Sequence, residues 1–387
     1  MMTMEMNEKQ VKSTPSPLSS VATVISMPPI RVMIVDDSVF MRQLLKKLLE
    51  HDAGITVIEA TYSSNDVLAR VKALRPDVLM LSTKIPVMQG LTTLAQIMSE
   101  CPTATVMFSS NTAEGALTTF EALELGAVDY FFKPDGTVDS DLVEYGAELI
   151  SKIRTSSGVR LSRLARLNCG LQTYPVIRSQ QIPGFPWGGS DIPVVVMGAS
   201  AGGPRTLLEI IPQIPFDFPA PIVIMQDMSA NFTSSFANRL DVESQIRVKE
   251  AAQGETLAPG CAYIAPGGFQ LRLNRRTTGK GIKVHLSEKN NTLARPSSVN
   301  GLFQSVAQIY GLHAVGVLLS GSGEDGVDGM LAIHNAGGST IAESEETAIV
   351  FGLPGLAIER GGASMVLPSQ KIAEQMQIEV GRLINNG

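Results

Sequence analysis

A chain of 387 residues with a formal net charge of −6 is long enough for two domains, each with its own hydrophobic core. Hydrophobic residues make up 44% and charged residues 18%, a balance typical of globular proteins. The acidic charge gives no basic surface for nucleic acid, and three widely separated cysteines argue against a disulfide framework or a zinc site. Because no run of eighteen apolar residues occurs, we expect a cytoplasmic protein without membrane insertion.

Residues 1–28 are rich in Ser, Thr, Pro and Met and aperiodic, which predicts a disordered leader. Residues 29–150 then alternate apolar strand patterns with amphipathic helix patterns. The predicted strands are 31–35, 56–60, 78–81, 105–108 and 127–132. The predicted helices are near 40–49, 65–74, 91–98, 112–125 and 140–153. Five such units predict a doubly wound parallel sheet whose site lies at the carboxyl ends of the strands.

Polar residues follow several of these strands. The acid pair Asp36 and Asp37 follows the first strand, Ser109 the fourth and Lys133 the fifth. This constellation resembles the response-regulator receiver domain. The resemblance implies that the acid pair binds magnesium, that the residue after the third strand accepts a phosphoryl group, that Ser109 is the switch hydroxyl, and that Lys133 pairs with phosphate. The phosphoacceptor position is Ser82, in LSTKIPVMQG, where the family pattern is like LDVxMPxMDG.

Ser82 changes the chemistry expected of this domain. A hydroxyl cannot form the acyl phosphate that a carboxylate forms, and it removes one anionic ligand from a cation that prefers oxygen. We therefore expect no phosphorylation at Ser82. Asp36 and Asp37 remain candidate magnesium ligands, and the alternative is that they cap the following helix and pair with Lys133.

Residues 151–191 shift to a composition rich in Gly, Pro and Gln and are predicted to form a linker. The second domain, residues 192–387, opens with a strand, a sharp turn and a helix in IPVVVMGASAGGPRTLLEI. Residues 198–202 fit the G-x-S-x-G pattern of a nucleophile elbow, which makes Ser200 a candidate nucleophile. The alternative is an ordinary turn in which Ser200 is the N-cap of the helix.

Further motifs recur along this domain. They are QDMSANFTSSFANRL at 226–240, APGG at 265–268, SGSGEDG at 320–326 and VFGLPGLAI at 350–358. With GASAGG at 198–203, they resemble the catalytic domain of the chemotaxis receptor methylesterase family, CheB. The resemblance implies a second doubly wound α/β domain that hydrolyses γ-glutamyl methyl esters and deamidates glutamines without a cofactor. It also implies chemoreceptor cytoplasmic domains as partners, with a chemotaxis histidine kinase as a further candidate.

The triad implied by the resemblance is Ser200 as nucleophile, residue 227 as general base and Asp325 as the carboxylate that orients the base. Position 227 is Asp, where the family has histidine. Imidazole titrates near pH ~6.5, whereas an ordinary aspartate near ~3.9 is a weak base for a serine hydroxyl. We therefore expect a weak or inactive esterase, and the alternative is a non-catalytic regulator that binds receptors or signalling partners. Asn300 also stands where the family pattern has Asp.

Overall fold

The computed structural model describes residues 28–62, 66–83, 90–110, 112–134, 142–160, 192–275, 281–288 and 298–385. The predicted leader, up to residue 27, and residues 161–191 of the predicted linker lie outside these ranges. Within the described residues, no helix has the length and apolar character needed to cross a membrane.

The first domain is a five-stranded parallel sheet in the order β2-β1-β3-β4-β5. Its strands are β1 (Ile30–Val35), β2 (Ile55–Thr61), β3 (Val78–Ser82), β4 (Ala104–Ser109) and β5 (Asp129–Phe132). The helices are α1 (Val39–Leu49), α2 (Val67–Leu74), α3 (Gly90–Glu100), α4 (Ala113–Glu124) and α5 (Leu142–Ser157). The strand order reverses beside β1 and β3, so the residues after these two strands share one crevice.

The central strands read as continuous apolar runs because helices cover both faces of the sheet. Every residue of β3 and β4 is buried. Helix α5 continues to Ser157, beyond the predicted helix end at 153, because Ile153 and Ser156 are still buried against the domain. The first residues of the segment predicted to be a linker are therefore helical.

The second domain has a seven-stranded parallel sheet in the order β14-β13-β12-β6-β7-β9-β8. Its strands are β6 (Val194–Ala199), β7 (Ile222–Gln226), β8 (Arg247–Glu250), β9 (Cys261–Ile264), β12 (Ala314–Leu318), β13 (Ser339–Glu343) and β14 (Met365–Leu367). The helices are α6 (Gly203–Ile210), α7 (Ala230–Glu243), α8 (Val299–Tyr310), α9 (Val327–Asn335), α10 (Leu353–Glu359) and α11 (Ser369–Asn385). A separate antiparallel pair is formed by β10 (Phe269–Arg275) and β11 (Ile282–Glu288).

The two domains pack through helix α4, which contacts α6 and α7. Phe120 on α4 lies 5.6 Å from Phe232 and 5.3 Å from Phe236, measured between ring centroids. An ion pair joins Arg239 Nη2 to Glu124 Oε1 at 2.9 Å. Residues of both domains form one continuous hydrophobic cluster. The receiver-like domain thus packs on α6 and α7, the helices that follow β6 and β7. Two of the candidate catalytic positions, Ser200 and residue 227, come directly after these strands.

Candidate active site and receiver site

The turn after β6 is built around two glycines. Gly202 has a φ of 78°, a conformation that favours glycine. A Cβ at Gly203 would lie 2.3 Å from Gln226 Oε1, so a larger residue cannot be placed there without displacing its neighbours. Ser200 does not have the positive φ of a strained elbow, since among the described residues Arg75 is the only non-glycine residue with one. The N-cap of α6 is Gly202, so the N-cap alternative for Ser200 is wrong.

Hydrogen bonds from neighbouring strands fix the backbone of Ser200. Its N–H donates to the carbonyl oxygen of Ser320 after β12, at 3.0 Å. Its carbonyl oxygen accepts from Gln226 Nε2 at the end of β7, also at 3.0 Å, and from Gly203 N at 2.9 Å. The end of β7, the residue after β12 and the serine turn itself therefore hold the backbone of Ser200.

Asp227 is the first residue after β7 and lies beside the serine turn. Gln226 pairs with Ala199 in the sheet register, and Asp227 N donates to Ala199 O at 3.3 Å. Since neighbouring strands lie about 4.8 Å apart, the loops that begin at Asp227 and Ser200 are adjacent. The tertiary structure thus brings together the two positions that the resemblance pairs as base and nucleophile.

Asp325 occupies the loop between β12 and α9, at the same edge. Its carboxylate accepts from Val299 N at 2.9 Å, from Asn300 N at 3.0 Å and from Ser298 Oγ at 3.3 Å. These donors form the first turn of α8, where backbone N–H groups and the helix dipole favour a negative charge. In this structure Asp325 therefore anchors the start of α8.

Asn300, in the first turn of α8, makes a second contact with the segment that follows β12. Its Oδ1 accepts from Gly326 N at 3.0 Å and from Gly329 N at 2.7 Å. An amide oxygen keeps the acceptor that a carboxylate would supply, so the change from Asp is compatible with this link. Beside it opens a polar cavity of about 380 Å³. Its lining is Gln270, Arg272, Ser298, Asn300, Glu324, Asp325 and Asp328.

In the receiver-like domain, a lysine side chain forms ion pairs with both acids, Asp36 and Asp37. Lys133 Nζ lies 2.6 Å from Asp36 Oδ2 and 3.4 Å from Asp37 Oδ1. Asp36 and Ser82 are both buried.

Magnesium is usually held in proteins by one or two carboxylates together with water and phosphate oxygens, so the acid pair remains a candidate ligand pair, with Lys133 as a competing cation. In the described part of the chain, no group of three His, Cys, Asp or Glu side chains could hold a metal ion. The contacts correspond to the alternative in which the acid pair binds Lys133, with Asp36 Oδ1 accepting from Ser38 N at 2.8 Å before α1.

Ser109, the switch position, is buried at the end of β4. Its hydroxyl lies 3.0 Å from Thr119 Oγ1, and Thr119 in turn donates to Gly115 O at 2.7 Å. The Thr119 hydroxyl has one proton, which it donates to Gly115 O. The Ser109 hydroxyl is therefore the donor in its contact with Thr119. The switch position is thereby tied to α4, the helix that packs on the second domain.

Comparisons with known proteins identify the family of each domain. The sequence model of the family described as CheB methylesterase matches residues 195–376, and the response regulator receiver domain matches residues 32–142. A protein-glutamate methylesterase/protein-glutamine glutaminase from Caldanaerobacter subterraneus is 43% identical over 353 residues, covering 89% of this chain and 95% of the relative. The chain belongs to the CheB methylesterase family. A Syntrophomonas wolfei relative of the same name is 43% identical over 359 residues, covering 91% of this chain and 100% of its own.

The histidines of this CheB-family chain lie away from the serine turn, and all are among the described residues. His51 donates to Lys47 O on α1, and His285 lies 3.4 Å from Gln253 on the hairpin. His313 directly precedes β12 and His334 lies in the last turn of α9, which places both at the opposite edge of the sheet from Ser200. The structure thus supplies no histidine for the role left open at position 227.

Sequence reasoning missed one titratable group behind the serine turn of this family member. Glu343 ends β13, is fully buried, and accepts from Ser320 N at 2.8 Å and from Thr347 Oγ1 at 3.0 Å. Burial raises the pKa of Glu343 to about 7. Because Ser320 also accepts from Ser200 N, this carboxyl group supports the nucleophile turn through one residue. The available signal was an acid that ends an apolar strand at the site edge of a parallel sheet.

Proposed function

We propose that this protein acts in chemotaxis as a CheB-family regulator that engages chemoreceptors and hydrolyses their γ-glutamyl methyl esters weakly or not at all. The observation that carries the proposal is an aspartate, Asp227, at the position of the family's histidine, directly after the strand that neighbours the one preceding Ser200. The fold, the glycine turn and the helix anchors are all present. What differs is the side chain at position 227, which in the family is the base that accepts the proton of the serine hydroxyl.

The size of the defect follows from the proton chemistry. A serine nucleophile needs a base that accepts its proton during attack and returns it to the leaving group, which an ordinary carboxylate does poorly near neutral pH. In subtilisin, removing the histidine lowers kcat about 10⁶-fold, and binding and oxyanion stabilisation leave a residual ~10³ to 10⁴ over water. We expect a similar loss here.

The receiver-like domain supports the same proposal. Ser82 provides no carboxylate for an acyl phosphate, and Lys133 already pairs with both acids. A phosphodonor therefore has no acceptor at the usual position. Control of this protein would then come from binding partners, with chemoreceptors as the first class to test and a chemotaxis histidine kinase as the second.

The test is methanol release from a methyl-esterified receptor by the natural chain, Asp227→His and Ser200→Ala. We expect the natural chain to remain near the Ser200→Ala baseline and Asp227→His to exceed both by orders of magnitude. Asp328→His is the matched control, because it adds an imidazole at the same edge without placing it beside Ser200. A natural chain that releases methanol rapidly, and loses this activity in Ser200→Ala, would overturn the proposal.

The second candidate is a purely binding function, with no ester chemistry even when a histidine is supplied. It is favoured by the engagement of Asp325 with α8, because this carboxylate would have to turn to orient a base. Retained receptor binding together with an Asp227→His variant that stays at baseline would select this second function.

A further inference from the structure

The antiparallel hairpin of β10 and β11 has one face in the core and one face outside it. Leu271, Leu273 and Val284 are buried on the inner face. Strand β10 packs along α8, where Leu273 N donates to Ser305 Oγ at 3.0 Å. Because successive residues of a strand point to opposite faces, the alternate residues form the outer face. They are all polar: Gln270, Arg272, Asn274, Lys283, His285 and Ser287.

This outer face carries basic and neutral side chains and no acid. In the strand register, Arg272 is directly opposite His285, and Lys283 is directly opposite Asn274. Glu288 is the only acid of the two strands, and it belongs to the other face. Within the described ranges, neither Arg272 nor Lys283 forms an ion pair with an Asp or Glu side chain. The positive charge of the outer face is therefore not compensated within the hairpin.

The acids that share the polar cavity with Arg272 already have partners. Glu324 and Asp328 lie 2.9 and 3.6 Å from guanidinium nitrogens of Arg360. Asp325 accepts from two backbone N–H groups in the first turn of α8. Among the described residues that line this cavity, Arg272 is the one basic side chain. The hairpin thus brings a positive charge to the cavity that also contains Asp325, a candidate catalytic residue.

We propose that the outer face of β10 and β11 is a docking surface for an acidic segment of a chemoreceptor, whose glutamate carboxylates bind Arg272 and Lys283. This inference rests on the proposed function, since it names how the same protein recognises its receptor. Charge complementarity carries it: carboxylates accept hydrogen bonds, and guanidinium and ammonium groups are their strongest donors. Ester hydrolysis and glutamine deamidation both produce glutamate, so a processed receptor segment carries these carboxylates.

The experiment measures the Kd of the full chain for a chemoreceptor cytoplasmic domain by isothermal titration calorimetry at about 0.1 M salt. The receptor domain is used in two forms, with its modified positions either all Glu or all Gln. We expect the natural chain to bind the Glu form about three- to tenfold more tightly. The double variant Arg272→Gln, Lys283→Gln should lose this preference. Arg272→Lys, which keeps the charge, should retain most of it.

Lys46→Gln, Lys47→Gln is the matched control, because it removes the same charge from exposed positions on α1. The proposal is supported if this control keeps the preference for the Glu form and about 0.5 M salt removes it in the natural chain. Equal binding of both receptor forms by the natural chain, or an equal loss in the control, would overturn the docking surface and leave receptor engagement standing. A natural chain that binds neither form would overturn the proposed function as well.

An anionic membrane is the competing ligand for a basic face. Binding to phosphatidylglycerol vesicles is therefore measured with the same variants. If the double variant at Arg272 and Lys283 keeps its preference for the Glu form and loses vesicle binding, the face binds lipid and the proposal is overturned. If vesicle binding is the same in the natural chain and the double variant while the preference is lost, the receptor assignment is supported.

Discussion

Replacing Glu343 with Gln should make the second domain more stable at neutral pH and leave it nearly unchanged in acid. The folded-state pKa of this buried carboxyl group is about 7, against an ordinary value of 4.5. Between these values the folded chain binds more protons than the unfolded chain, so the contribution of Glu343 to stability falls as pH rises from 4.5 to 7. Above pH 7 the penalty is complete.

The magnitude follows from the size of the shift. Each pKa unit corresponds to about 1.4 kcal/mol, so ionised Glu343 destabilises the fold by roughly 3 kcal/mol. Gln matches the shape of a protonated Glu and can still accept from Ser320 N. For a domain of this size, that difference corresponds to about 6–12 °C in Tm.

Calorimetric Tm values of the full chain from pH 4.5 to 8 provide the assay. We expect the Tm of Glu343→Gln to match that of the natural chain near pH 4.5 and to exceed it increasingly up to pH 7. Glu374→Gln is the control, because Glu374 is exposed and forms a surface pair with Lys371. A Tm difference that does not change with pH would refute the assignment of a buried carboxyl group with a raised pKa. A Gln variant that is less stable than the natural chain at pH 8 would refute it as well.

Three further predictions concern the serine turn, the domain boundary and the receiver-like site. Gly203→Ala should destabilise the second domain by about 1–3 kcal/mol in thermal unfolding, because the new methyl group meets Gln226 Oε1 and the Ala199 side chain; an unchanged Tm would contradict the close packing. Phe232→Ala should cost about 3–5 kcal/mol and increase protease sensitivity at the domain boundary, since the ring is fully buried in the aromatic cluster. Acetyl phosphate should leave the intact mass of the natural chain unchanged, whereas Ser82→Asp should gain a labile phosphoryl adduct; an adduct on the natural chain would show that another residue accepts the group.

Much of the fold could be predicted from the sequence because parallel strands buried on both faces appear as short apolar runs between helical patterns. All five strands predicted in the first domain form, within two residues at each end. The edge strands β8 and β14 do not appear as apolar runs because an edge strand is less covered: in β8, only Val248 is buried. The motifs also placed Ser200 and position 227 directly after strands, and residues after parallel strands share one edge of the sheet.

Only the tertiary structure decided what those residues contact. Asp325 binds the start of α8, Glu343 accepts a hydrogen bond from Ser320 N, and Lys133 pairs with Asp36. Each of these contacts joins segments that are distant in the chain. Hydrogen bonds and ion pairs depend on distances of a few tenths of an ångström, which periodicity and composition do not encode. The packing of α4 on α6 and α7 depends on complementary surfaces of the two domains. Only the tertiary structure shows this complementarity.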